Sequence, residues 1–467
     1  MSNSPSNPKG TRDFLPEEFS KRDYIIEIIK NNFLAFGFSQ IETPSIEKNA
    51  TLMGKYGEDG DRLIFRILNS GEKIKKADLK AFQKDDFQQF IKSISEKGLR
   101  YDLTVPLARF VAQHQNDIIF PFKRFQIQNV WRADRPQFGR YQEFTQCDAD
   151  IIGKSDIIQE IELLQLYDSI FSDLGFKDVV IKINHRSILY YIANYLEVKE
   201  NHDLFFTIID KIEKNTKEKI HDDLKNNFEN FSLTRFIDLF ETEEFSIEKL
   251  SNLLNISKRE ESGFKEVQTI LNFFNDQKIN NRIEFDLKLA RGLNYYTGLI
   301  VEVSSDSNDV GSLGGGGRYD NLTSLFNLKD TSGIGISFGL ERIYLEMNRK
   351  SMFPLELSNR CNLLFVNFGT EYIKKMYPTI QKFRKHGIKV EIYPFKAKLN
   401  KQLTYANKSK INYVLIFGED ESVKGNIIIK DMFENKQSSY KLEELSYKLF
   451  KYSKVLNQDL NSSEGET

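Results

Sequence analysis

The sequence predicts an α+β protein in three parts: an antiparallel sheet flanked by helices, an all-helical insertion, and a C-terminal α/β module. Three observations carry this. Short β-prone runs with period-two alternation, among them GLRYDLT, KRFQIQNVWRAD and RYQEFTQCDADIIG, suit antiparallel strands covered on one face. Between residues 188 and 278 glycine is reduced to Gly263, and helical periodicity rich in Lys, Glu and Asn runs throughout. After Pro354 strands and helices alternate, the pattern of a mainly parallel sheet. The expected boundaries are 1–187 with 279–353 for the sheet domain, 188–278 for the insertion, 358–457 for the C-terminal module and 458–467 for a disordered tail.

The chain opens as a loop as far as Pro16. EEFSKRDYIIEIIKNNFLAFGF then places Tyr24, Ile25, Ile28, Ile29 and Phe33 at helical spacing and stops at Gly37. SQIETPSIE alternates and reads as a strand leaving that helix, and the polar, lysine-rich stretch 66–98 as a helical excursion. IQEIELLQLYDSIFSDLGF is an amphipathic helix and VVIKIN the strand after it. Beyond the insertion, IEFDLKLARGLNYYTGLIVEVSS restores strand character. A glycine cluster follows, and SGIGISFGLERIYLEM runs from strand into helix. In the C-terminal module, strands NLLFVNFG, KVEIYPF and NYVLIFG alternate with helices EYIKKMYPTIQKFRKHG and KLNKQLTYANKSK.

Composition narrows the function. At 467 residues, 40% apolar and 28% charged, the chain is ordinary for a folded protein of two to four domains. No run approaches the ~18 apolar residues of a membrane span, and MSNSPSNPKGTRDF lacks a secretory core, so a cytoplasmic protein is expected. Cys147 and Cys361 stand far apart, which excludes a disulfide scaffold and a cysteine-built zinc site and fits a reducing compartment. Net charge is −1, but it is unevenly spread. Residues 358–457 carry 19 Lys and Arg against 9 Asp and Glu, a balance of +10, while the tail carries −3, which leaves −8 on residues 1–357. A basic module on an acidic body either meets a polyanion or is a solvated lysine-rich surface.

Four constellations carry chemistry. In RFQIQNVWRADRPQFGRYQEFTQ, Arg132, Arg135 and Arg140 cluster about the turn pair Pro136 and Gly139, and guanidinium forks match phosphate oxygens. Phe144, past the turn, offers a face for a purine ring. Asp102 sits beside Thr104, and period two puts Gln146, Asp148 and Asp150 on one strand face. Buried acids need cations or donors, which an ammonium group and a nitrogen heterocycle would supply, as would neighbouring arginines. ARGLNYYTG groups Arg291 with Tyr295 and Tyr296 between glycines. GGGGRYDNL implies closely approached backbone, and GIGISFGLERI carries Arg342 on a first helical turn, a phosphate position. Neither a dinucleotide fingerprint nor a P-loop is present. Together the four ask for a triphosphate and a small zwitterion.

KGTRDFLPEE, LRYDLTVPLARF, the NVWRADRPQFGRYQEFTQCD hairpin, LARGLNYYTG, GGGRYDNL and GIGISFGLERI follow one another as in histidyl-tRNA synthetases, a class II aminoacyl-tRNA synthetase family. The resemblance spans about residues 8–455. It implies a six-stranded antiparallel catalytic sheet of the class II synthetase type, a helical insertion and an anticodon-binding α/β domain. It further implies that histidine attacks the α-phosphate of ATP, and that histidyl-adenylate then charges tRNA-His.

Carried onto this sequence, Arg132 holds the α-phosphate with Arg291 opposite. Arg140 and Arg342 face the β- and γ-phosphates, and Phe144 and Arg342 sandwich adenine. Asp102, Thr104 and Gln146 take the amino-acid end, Asp102 meeting the ammonium. Asp150 and Tyr296 grip the imidazole, and Tyr295 walls the pocket. Mg²⁺ accompanies ATP, bridged by Glu143 or a neighbouring carboxylate, and a homodimer builds near GFSQIETPSIE. Asn294 stands where the family often has aspartate, and Asp102 and Asp150 where many bacterial members have glutamate. YDLT, CDAD and YYTG resemble the eukaryote-type branch. The alternative is a catalytically inactive paralogue sensing histidine or tRNA. Such relatives lose motif arginines or the anticodon domain, and this chain keeps both.

Overall fold

The computed structural model describes residues 5–213, 215–242, 245–254, 262–290, 295–306, 310–354, 357 and 362–445. Arg291 and Asn294, together with the expected tail 458–467, lie outside them. The chain divides into two compact units, Met1–Asp13 with Ile25–Met352, and Phe14–Tyr24 with Phe353–Thr467.

The first unit is organised on one sheet. Its strands are β1 (Ser39–Gln40), β2 (Phe122–Trp131), β3 (Glu143–Gly153), β4 (Val179–His185), β5 (Arg282–Phe285), β6 (Leu299–Ser305), β7 (Gly314–Tyr319) and β8 (Ser332–Gly339). They lie in the order β1-β2-β3-β8-β7-β6-β4-β5. The six central strands pair antiparallel, as the resemblance implied, but each edge gains a parallel strand, β1 on β2 and β5 on β4. A parallel neighbour needs a long crossover. The connection from β4 to β5 supplies it with helices α4 (Arg186–Tyr195), α5 (His202–Ile209), α6 (Lys217–Asn227), α7 (Leu233–Ile237), α8 (Ile247–Leu253) and α9 (Ser262–Asn275).

Alternation gives the sheet two unlike faces. On one, Phe125 of β2, Cys147 and Ala149 of β3 and Phe338 of β8 are buried under helices α1 (Pro16–Ala35) and α3 (Ile157–Asp173). Phe33 of α1 lies 5.2 Å from the Phe125 ring and 5.8 Å from that of Phe338, and Tyr167 of α3 lies 4.7 Å from Phe338. The other face carries Gln146, Asp148 and Asp150, which pair across β8 with Gly339, Ser337 and Gly335.

Several expected strands are shorter than their sequence runs. SQIETPSIE gives only Ser39–Gln40 and Ile46–Lys48. GLRYDLT is strand only within Lys97–Leu99, because Arg100 turns inward to the carbonyls of Thr43 and Asn129 and Asp102 accepts the amide of Val105. Thr104 therefore opens helix α2 (Thr104–Gln113). IEFDLKLARGLNYYTGLIVEVSS splits into β5 and β6, since Asn184 donates to the carbonyls of Leu287 and Leu289 and holds that stretch off the sheet. The N-terminal segment is more than a loop: Gly10 accepts the amide of Gln142 on the arginine hairpin, and Arg12 packs 4.0 Å over the Tyr141 ring.

In the second unit, β9 (Leu363–Phe365), β10 (Val390–Ile392) and β11 (Tyr413–Ile416) are parallel, in the order β10-β9-β11. Beyond the expected alternation, β12 (Asn426–Asp431) and β13 (Lys436–Lys441) add an antiparallel hairpin. Helix α11 (Thr370–Lys385) packs on one face through Ile380 and Phe383. Helix α12 (Leu399–Lys408) packs on the other through Ala406. Helix α10 (Leu340–Arg349) belongs to the first unit and continues β8.

The glycines of β7 are set by clearance. A Cβ at Gly316 would run into the carbonyl oxygen of Gly335 and stand 2.8 Å from the Cα of Ile336, both backbone atoms that cannot rotate away. Gly316→Ala should therefore destabilise the first unit by about 1–3 kcal/mol, read as a lower urea midpoint with an unchanged slope.

Candidate active site

The polar face of the sheet floors a cavity of about 510 Å³. Glycine is what makes room. Gly315 and Gly317 of β7 and Gly335 and Gly339 of β8 occupy the floor positions. A Cβ on Gly335 would collide with the Asp150 carboxylate, and one on Gly317 would stand 2.8 Å from the Tyr296 ring.

Three buried carboxylates define the closed end. Asp102 accepts from Tyr56 Oη at 2.9 Å, from the Val105 amide at 3.1 Å and from Tyr295 Oη at 3.3 Å. Asp150 is ion-paired with Arg124 at 2.7 Å and accepts from Tyr319 Oη. Asp148, between them, is joined to Ser337 and lies 3.5 Å from Gln146 Nε2. Burial raises all three above the ordinary carboxylate range, Asp148 to about 7, with Arg124 the main opposing influence on Asp148 and Asp150. Burial also lifts the phenols of Tyr56, Tyr295 and Tyr319 well above 10, so they stay protonated and donate.

Cations line the open end. Arg132 donates through Nε to the Tyr101 carbonyl, and its guanidinium carbon lies 4.3 Å from the Tyr101 ring centroid and 5.1 Å from that of Phe144. Arg140, half exposed, sits 3.8 Å from Asp134 beside Gly139, whose φ of +69° closes the hairpin. Arg342, on the first turn of α10, is tethered to Ser312 at 2.9 Å and to the Gly139 carbonyl at 3.4 Å.

The cavity thus gathers Asp102, Thr104, Arg132, Arg140, Phe144, Gln146, Asp150, Tyr295, Tyr296 and Arg342 from five separate stretches of chain. Glu143 is a correction. It does not line the cavity, because period two turns it away from the face that Phe144 and Gln146 share, and its carboxylate accepts from Asn129 at 3.0 Å. Glu341, like Asp134, does line the cavity; it accepts from the Thr145 amide and is ion-paired with Arg12 at 3.2 Å. Among the described residues no trio of His, Cys, Asp or Glu could hold a metal.

Sequence reasoning placed Asp148 on the strand face of Gln146 and Asp150 but gave it no role of its own, and it missed Tyr319 and Glu341. It also missed Arg186, at the start of α4, which lines the cavity with Nη1 buried and unpartnered. Asp148 was legible because alternation flagged it together with its neighbours. Arg186 was not, since only the crossover brings it to the cavity.

The comparisons agree with this geometry. A family model described as "Histidyl-tRNA synthetase" matches residues 79–343, and one described as "Anticodon binding domain" matches 363–451. The chain belongs to the histidyl-tRNA synthetase family. It is 46% identical over 452 residues to the histidine–tRNA ligase of Christiangramia forsetii, covering 96% of this chain and 99% of that protein. It is 44% identical to that of Porphyromonas gingivalis, covering 93% and 96%. The crystal structure of histidyl-tRNA synthetase from Nostoc sp. PCC 7120 superposes with a TM-score of 0.76 at 27% identity, covering 93% and 96%. These members of the histidyl-tRNA synthetase family are bacterial, so the eukaryote-type branch gains no support from them.

Within the site, Arg124 is fully buried and has one close carboxylate partner. Arg124→Leu strands Asp150 without a counter-charge and should cost about 3–5 kcal/mol of stability. Adding Asp150→Asn should restore part of it, and urea denaturation of the single and double variants measures both.

Proposed function

We propose that this chain is a histidine–tRNA ligase. The observation that carries the proposal is one cavity with a closed end of buried acids and phenols and an open end lined by three arginines. The first end suits an ammonium and an imidazole, the second a triphosphate.

In the first step a carboxylate oxygen of histidine attacks the α-phosphorus of ATP. The bond to the bridging oxygen breaks, and pyrophosphate leaves with that electron pair. Arg132 neutralises the charge that gathers on the α-phosphoryl oxygens, with Arg291 as its counterpart by resemblance. Arg140 and Arg342 take the β- and γ-phosphates, and Phe144 and Arg342 enclose the adenine ring. Asp102, Thr104 and Gln146 orient the amino-acid end. Asp150 is paired with Arg124, and with Tyr296 it receives the imidazole on the lone pairs that Arg124 and Tyr319 leave open. In the second step the terminal ribose hydroxyl of tRNA-His attacks the activated carbonyl and AMP departs. Positioning carries most of the rate, since the protein contributes no covalent intermediate.

The basic second unit meets the tRNA. Its exposed Phe395 lies beneath Lys401 at 5.0 Å, with Lys396 and Lys398 also exposed beside it. Cations beside an exposed ring suit phosphates and an unstacked base. Retention of the motif arginines argues against the inactive, sensing paralogue. The protein acts in the cytoplasm as a homodimer built near GFSQIETPSIE, with ATP delivered as its magnesium complex. A reducing compartment fits the two distant cysteines.

Purified protein should exchange pyrophosphate into ATP with L-histidine and with no other amino acid. Equal exchange with proline or threonine would overturn the assignment. Arg132→Ala, and likewise Arg291→Ala, should slow that exchange on the order of 10²-fold or more while the thermal midpoint holds. A Lys396→Gln, Lys398→Gln, Lys401→Gln variant should leave exchange unchanged, raise KM for tRNA and flatten its salt dependence.

A further inference from the structure

The acids at the closed end outnumber the cations that answer them. Arg124 pairs with Asp150, and Asp102 is met by two phenols and an amide. Among the described residues Asp148 has no ion pair and is met only by the Ser337 hydroxyl and by Gln146 Nε2 at 3.5 Å, although it is buried and lines the cavity. The groups around it come from every neighbouring element. Gln146 and Asp150 flank it on β3, and Gln126 lies opposite on β2 with Arg124 beyond. Ser337 lies opposite on β8, and Asp102 comes from the segment before α2. Beside it, Gln146 donates through Nε2 to Ser337 Oγ at 3.1 Å, which leaves its Oε1 buried with no partner. A buried amide oxygen with no donor, beside a buried carboxylate answered only by a hydroxyl and a long amide contact, is costly unless a ligand supplies further donors.

We propose that Asp148 binds the α-ammonium group of the amino-acid substrate, completing with Asp102 and Gln146 Oε1 a set of three acceptors for its three N–H donors. An ammonium has three donors and no acceptor, so three convergent acceptors satisfy it fully. Side-chain alternation supplies the convergence: Gln146 and Asp148 share a strand face, and Asp102 faces the same cavity. The proposal rests on the histidine-activating function above and deepens it. It makes Asp148 the residue that distinguishes an amino acid from a bare imidazole acid. In the free protein burial holds the Asp148 proton on until about pH 7. An arriving cation favours the ionised form and so displaces that proton.

The test uses two ligands that share the imidazole: L-histidinol, which keeps the ammonium, and 3-(imidazol-4-yl)propionate, which lacks it. Each is measured as an inhibitor of histidine-dependent pyrophosphate exchange. Asp148→Asn should weaken histidinol on the order of tenfold or more and leave the propionate within about twofold. Equal weakening of both ligands, or of neither, overturns the proposal.

Calorimetry of the unaltered protein in two buffers of different ionisation enthalpy gives an arm independent of any variant. At about pH 6.5 histidinol should release more protons than the propionate, and the difference should vanish by about pH 8. Identical release from both ligands overturns it. Unaltered protein that shows no histidine-dependent exchange overturns the histidine reading itself, which the ligand comparison leaves distinguishable.

Discussion

A guanidinium that no solvent reaches holds the closed end of this site together. Three carboxylates share one sheet face or its border, and each is pushed toward its neutral form by burial. Left alone, such a cluster would protonate or swell. Arg124, inside β2 and opposite Asp150 in the strand register, ion-pairs with one of the three and opposes its protonation. Asp102 is held instead by phenols too buried to ionise. Among the described residues, the fold therefore answers only one of the three with a counter-charge.

The same face depends on what is missing from it. Glycine at the floor positions of β7 and β8 keeps the sheet surface low enough for Asp150 and Tyr296 to stand on it. On the opposite face aromatic packing among Phe33, Phe125, Tyr167 and Phe338 anchors the strands that carry the acids. The sheet therefore separates an apolar side that stabilises from a polar side that binds. The hairpin arginines are placed by a different device. Arg132 is fixed by the Tyr101 carbonyl, and the turn beyond it is clasped by the N-terminal segment through Gly10 and Arg12.

Local pattern made much of this visible. Helical spacing found α1 and α3, and the helical run between β4 and β5 stood out by its near lack of glycine. Alternation placed Gln146, Asp148 and Asp150 on one face and, applied one residue earlier, would have turned Glu143 away from it. The family motifs carried ten residues into one cavity. Where pattern misled, a long-range contact was responsible. Asn184 breaks an apparently continuous strand after β5, and Arg100 ends another by turning to carbonyls from two other segments.

From the sequence alone came the α+β class, the alternation of the C-terminal module, and the family whose motifs supply acids, phenols and arginines in order. Those features are encoded by spacing along the chain, and spacing survives without coordinates. Tertiary structure alone decided which acid is ion-paired, that Glu341 rather than Glu143 lines the cavity, and that Arg186 reaches the cavity at all. Pairing between side chains depends on register across strands and on the crossover that folds the insertion back. Both are settled by contacts between residues from tens to nearly two hundred positions apart, to which a local pattern is blind.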